Sequence, residues 1–166
     1  VSRLVPYKKV DLAIEVFNQL GWKLKIVGSG SEKKSLKQMA RDNIELVGEL
    51  TELELLSYYQ ECTGLLVCQE EDFGLVSLEA QACGKPVLAF NKGGAAETVI
   101  NGKTGLLFEK QSVTSLREAL EKFKTREFSS KVCRENALKY NRDNFKKNFL
   151  REINKLWEHK NLKITT

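Results

Sequence analysis

Apolar residues recur along this chain with two periods, and the switching between them predicts the order of elements. Val10, Ala13, Ile14, Phe17 and Leu20 fall at helical spacing while Asp11, Glu15 and Gln19 take the other face; Gly21 supplies a stop. That segment predicts an amphipathic helix lying on a sheet. Lys23 to Val27 alternates as a strand and meets the turn Gly28-Ser29-Gly30 before a helix over Glu32 to Arg41. Ile44 to Gly48 predicts the next strand, and Thr51 with Glu54 forms a capping box that opens another helix. The apolar run Gly64 to Cys68 reads as a buried strand, followed by a helix from about Leu75 that Gly84-Lys85-Pro86 ends. Val87 to Phe90 is a further strand, Asn91 to Gly94 a flexible loop ahead of a short helix holding Glu97, and Thr104 to Phe108 the last strand. Val1 to Val5 adds the end of a strand that Pro6 stops. About six strands, each followed by a helix, predict an α/β fold: a Rossmann-like, doubly wound parallel sheet.

From Ser112 onward the pattern is helical only. Leu116, Ala119, Leu120 and Phe123 form one stripe, and Phe145, Phe149, Ile153, Leu156 and Trp157 another, while Ile164 to Thr166 are expected to fray. The whole of residues 1–166 is expected to be one domain, with a core over 1–128 and C-terminal helices over 129–166.

The net charge of +5 hints at nucleic acid until it is located. Residues 1–128 carry 17 basic and 18 acidic side chains, and residues 129–166 carry 10 and 4. The excess therefore lies in the tail, where it reads first as a solvated helix face and next as a peripheral contact with an acidic membrane. No aromatic and basic interleaving marks a single-strand platform, so nucleic acid is not an expected partner. Cys62, Cys68, Cys83 and Cys133 lack C-x-x-C spacing and are joined by one histidine, His159, which argues against zinc and for reduced thiols in a cytoplasmic protein. No run of about 18 apolar residues occurs, so no membrane span is expected.

The chemistry concentrates in Glu71-Asp72-Phe73-Gly74-Leu75-Val76-Ser77-Leu78-Glu79, at the junction of a buried strand and a helix, where open α/β sheets bind ligands. Seven residues separate Glu71 from Glu79, which puts one carboxylate in the loop and the other about a turn inside the helix. Gly74 lets backbone approach a ligand, and the free N–H groups of the following turn favour a phosphate. Gly28 and Gly30 admit two readings, a ligand contact or merely a tight turn.

This acid pair resembles that of the retaining GT-B glycosyltransferases, in which two Rossmann-like halves face each other. Ser2-Arg3-Leu4-Val5-Pro6-Tyr7-Lys8-Lys9 is similar to the first loop of that family's donor-binding half. Val27-Gly28-Ser29-Gly30, Ala82-Cys83-Gly84-Lys85-Pro86, Gly93-Gly94-Ala95-Ala96-Glu97 and Asn101-Gly102-Lys103-Thr104-Gly105 follow in the family's order. Glu71-Asp72-Phe73-Gly74 is most similar to the mannosyltransferase-like branch.

The resemblance implies a donor domain for a nucleotide-diphosphate sugar, GDP-mannose being the expected one, with Arg3 and Lys9 gripping the diphosphate. It implies that Glu79 accepts hydrogen bonds from the ribose and that Glu71, with the backbone of Phe73, Gly74, Leu75 and Val76, faces the sugar. The loop after Val47 would lie beside the base. Neither a metal nor a cofactor is implied, because cations and a helix N-terminus can stabilise the leaving diphosphate. An acceptor-binding half would complete the enzyme and transfer the hexose, with retention, to a glycan or a lipid-linked acceptor; this chain by itself is expected to be inactive. A nucleotide-sugar 2-epimerase and a noncatalytic nucleotide-sugar-binding module are the alternatives.

Overall fold

The computed structural model describes residues 1–161, so Ile164 to Thr166 lie outside it. Among the described residues five strands are present: β1 (Leu24–Val27), β2 (Ile44–Gly48), β3 (Leu65–Val67), β4 (Val87–Phe90) and β5 (Gly105–Phe108). All pairings are parallel, β1 with β2 in one sheet and β3, β4 and β5 in that order in a second. The helices are α1 (Val10–Leu20), α2 (Lys33–Met39), α3 (Glu52–Glu61), α4 (Leu75–Ala82), α5 (Gly94–Thr98), α6 (Val113–Thr125), α7 (Ser130–Leu138) and α8 (Arg142–Asn161).

β4 shows why the layers form. Its four residues are all buried, and they divide by period two. Leu88 and Phe90 join a core made with Ile14 of α1, Leu36 of α2 and Leu116 of α6. Val87 and Ala89 join a second core with Tyr59 of α3, Ala80 of α4 and Ala95 of α5. Helices therefore cover both faces, the doubly wound arrangement that the element order predicts.

The opening segment differs from the expected sixth strand. Ser2 donates its N–H to the Val27 carbonyl at 3.0 Å and Leu4 donates to that of Ser29 at 2.8 Å. The proline two residues later leaves no room for a longer ladder. A Cβ on Gly28 would collide with the Ser2 carbonyl and one on Gly30 with that of Leu4. Both glycines thus have a packing reason, the close approach of this segment.

The capping box forms as predicted: Thr51 Oγ1 accepts from the Glu54 N–H and Glu54 Oε2 accepts from the Thr51 N–H at 2.8 Å. α7 docks on α4 through buried amides. Asn136 Nδ2 donates to Gln81 Oε1 and to the Thr98 carbonyl, each at 2.8 Å, and Gln81 Nε2 donates to the carbonyls of Ser77 and Thr98. The stripe of α8 is different, since Phe145, Phe149, Ile153, Leu156 and Trp157 all stand exposed. Among the described residues no helix is long and apolar enough to cross a membrane. The four cysteines are free thiols, with Cys68 and Cys133 buried; burial pushes the Cys68 thiol up to about 12.

Candidate functional site

The parallel strands deliver Gly28, Gly48, Glu71 and Gly93 at or just beyond their carboxyl ends. Two of these segments lie directly together. Glu71 bridges Gly93 in parallel, and Gly94 donates its N–H to the Glu71 carbonyl at 2.6 Å. A side chain on Gly93 would strike the backbone of Glu71, and one on Gly94 that of Phe73, so the glycine pair is what lets the loops close on each other. Gly74 takes the left-handed conformation (φ 77°, ψ 50°) at the N-cap of α4 and supplies no side-chain cap. The Ser77 N–H donates to the Gly74 carbonyl at 3.0 Å, and those of Leu75 and Val76 are left to a ligand or solvent.

The Glu71 carboxylate sits among donors. Its Oε1 accepts from Lys8 Nζ and, at 2.6 Å, from Gln69 Nε2. The Lys8 and Glu71 side chains are 11% and 20% exposed, so the pair is largely shielded, and Gln69 is buried at the end of β3. Lys8 reaches this position because Pro6–Lys8 forms a single 3₁₀ turn closed by Lys9, whose N–H donates to the Pro6 carbonyl at 3.2 Å. Closing it puts Lys9 at φ 54°, a left-handed conformation that costs a residue with a Cβ roughly 1–2 kcal/mol.

Glu79, on the solvent side of α4, accepts at Oε2 from the Tyr59 hydroxyl at 2.8 Å. Burial first, and the Glu79 carboxylate second, hold that phenol well above the usual tyrosine range. Phe73 stands half exposed and packs edge-on against Tyr140, centroids 6.4 Å apart, whose hydroxyl donates to the Glu97 carbonyl.

The predicted residues thus fall into groups. Glu71, Phe73, Gly74, Leu75 and Val76 share one loop and helix start, and Glu79 follows one turn on. The cation in contact with Glu71 is Lys8; Lys9 instead lines a shallow pocket of about 440 Å³ with Pro6, Tyr7, Glu70 and Gln111. Arg3 is exposed, between residues pinned to the end of β1. Val47 is half-buried near the end of β2. Among the described residues neither Arg3 nor Lys9 contacts the acid pair. Sequence reasoning missed Lys8, Gln69 and Tyr59. For Gln69 the available signal was a polar residue closing an apolar strand, and for Tyr59 a phenol on a helix beside the acid loop.

Residues 1–140 match the family described as glycosyl transferases group 1. An uncharacterized glycosyltransferase of Methanocaldococcus jannaschii is 33% identical over 86% of this chain and 42% of its own length. A GDP-mannose-dependent monoacylated alpha-(1-6)-phosphatidylinositol monomannoside mannosyltransferase of Corynebacterium glutamicum is 37% identical over 72% of this chain and 35% of its own. The chain thus spans less than half the length of these relatives. The Anabaena protein HepE, solved in complex with UDP and glucose, superposes with a TM-score of 0.65 at 25% identity, over 82% of this chain and 39% of its own. With that match over its core, its acid-bearing loop and its parallel α/β architecture, the chain belongs to the glycosyl transferases group 1 family.

Proposed function

We propose that this domain holds a nucleoside-diphosphate sugar and that the complete enzyme transfers its hexose, with retention, to a glycan or lipid-linked hydroxyl. The observation that carries the reading is the cluster at the start of α4: a shielded Lys8–Glu71 pair beside uncapped helix N–H groups, with Glu79 one turn on. As the bond from the sugar to the diphosphate breaks, negative charge builds on the leaving phosphate. Fixed cations and N–H dipoles in a partly dry site stabilise that charge more than the ground state. Lys8, released from Glu71, is the compact cation for it, in the role the family resemblance implied for Lys9, and Arg3 is the residue suited to a bidentate grip. Glu71 then faces the sugar and Glu79 the ribose.

The mannosyltransferase relatives support GDP-mannose; the UDP bound to HepE supports a uridine donor, so the base is the point to test. The acceptor-binding half, which the greater length of the relatives accommodates, is the proposed cover for the apolar stripe of α8. The basic residues beside that stripe suit a peripheral contact with an anionic membrane from the cytoplasmic side.

Calorimetric titration of GDP, UDP and ADP against this chain tests the proposal. Binding of GDP or UDP that is weakened by Lys8→Ala and by Glu79→Ala is the expected result. No binding of any of the three, or binding indifferent to both substitutions, would refute it, as would sugar transfer by this chain alone for the two-half assignment.

A further inference from the structure

Glu79 is an exposed glutamate on a helix, and a free side chain of that kind spreads over several rotamers whose loss on ligand binding costs up to about 2 kcal/mol. Among the described residues one hydrogen bond restrains it, the 2.8 Å bond that the Tyr59 hydroxyl donates to Oε2. The donor is rigid for reasons already in the fold. Tyr59 is 4% exposed, packed among Leu65 and Val67 of β3 and Ala80 of α4. The capping box fixes the start of its helix. A phenylalanine would fill the same core, so the hydroxyl adds nothing to packing; it donates to the carboxylate and occupies one oxygen only.

We propose that Tyr59 is a positioning residue for nucleoside recognition, its hydroxyl holding Glu79 Oε2 so that Oε1 is presented to the ribose hydroxyls of the donor. The inference rests on the reading of Glu79 as the ribose acceptor. Phenol and carboxylate together form a preset acceptor, and its loss weakens contacts to the ribose while leaving the diphosphate contacts as they were.

The test is calorimetry with UDP, GDP, their 2′,3′-dideoxy counterparts and inorganic pyrophosphate against the wild-type chain, Tyr59→Phe and Glu79→Ala. The wild type should prefer ribose to dideoxyribose by about tenfold, the worth of a hydrogen bond to a charged group. Glu79→Ala should erase the preference. Tyr59→Phe should reduce it to about two- to threefold, with pyrophosphate affinity and melting temperature near wild type. A Tyr59→Phe variant that keeps the full preference overturns the inference. So does one that loses affinity equally for every ligand, pyrophosphate included, since that marks general damage. If the wild type itself does not distinguish the sugars, the ribose role of Glu79 fails first, and the inference falls with it.

Discussion

Replacing Lys8 with methionine keeps most of the side-chain volume and removes the cation from Glu71. Ion pairs in open water are worth about 0–1 kcal/mol, whereas breaking a fully buried pair costs about 3–5 kcal/mol. With side chains 11% and 20% exposed this pair lies between those limits, and Gln69 still donates to the same oxygen after the change. The expected coupling is therefore about 1–2 kcal/mol. Urea unfolding of Lys8→Met, Glu71→Gln and the double variant yields it as a double-mutant cycle. Because both groups are shielded, it should change little between low salt and about 0.5 M NaCl. A second reading on the same proteins concerns ligand. GDP or UDP affinity should fall about tenfold in Lys8→Met and stay within about twofold in Lys9→Met. A coupling under about 0.3 kcal/mol, or a larger loss of affinity from Lys9→Met, would refute the assignment of Lys8 as the working cation.

Lys9→Gly should stabilise the chain by about 0.5–1 kcal/mol, raising the melting temperature by about 1–4 °C, because glycine adopts φ 54° without the Cβ penalty, part of which its greater unfolded-chain entropy offsets. Asn136→Ala leaves Gln81 Oε1 without its buried donor, while the Thr98 carbonyl keeps that of Gln81 Nε2, and should cost about 1–3 kcal/mol in urea unfolding. The Cys68 thiol, raised by burial from its ordinary 9.0 to about 12, stays protonated in the folded chain where the unfolded chain has ionised. Stability should therefore fall as pH rises through that interval, by a limit of about 1.4 kcal/mol per pH unit, and Cys68→Val should flatten the slope. A slope the same with and without the thiol would contradict this.

How much was legible in the sequence depended on whether the cause was local. The capping box of Thr51 and Glu54 needs only its own turn, and it formed as read. β4 is readable because four consecutive apolar residues between turn signals admit a strand buried on both sides. The placement of Glu71 in the loop and Glu79 inside the helix followed from strand and helix periods alone. The choice between Lys8 and Lys9 did not. It turns on which residue closes the 3₁₀ turn in the left-handed region, and a lysine there carries no sequence mark. Gly28-Ser29-Gly30 reads like a phosphate turn, yet both glycines make room for a segment more than 20 residues earlier, a contact invisible to a local window. Tyr59 was obscured by α3 itself, where Leu53 is 79% exposed and blurs the apolar stripe. In α8 the periodicity is plain, but periodicity cannot say what a stripe packs against.

The amides of Asn136 and Gln81 redraw the boundary of the folding unit. A division after residue 128 would strip α7 from α4 and strand buried polar atoms on both sides of the cut. A division after Asn141 severs no buried hydrogen bond of that group. Shortened versions for crystallisation or NMR should therefore keep α7, whereas α8, its apolar stripe exposed, can be removed without opening the interior.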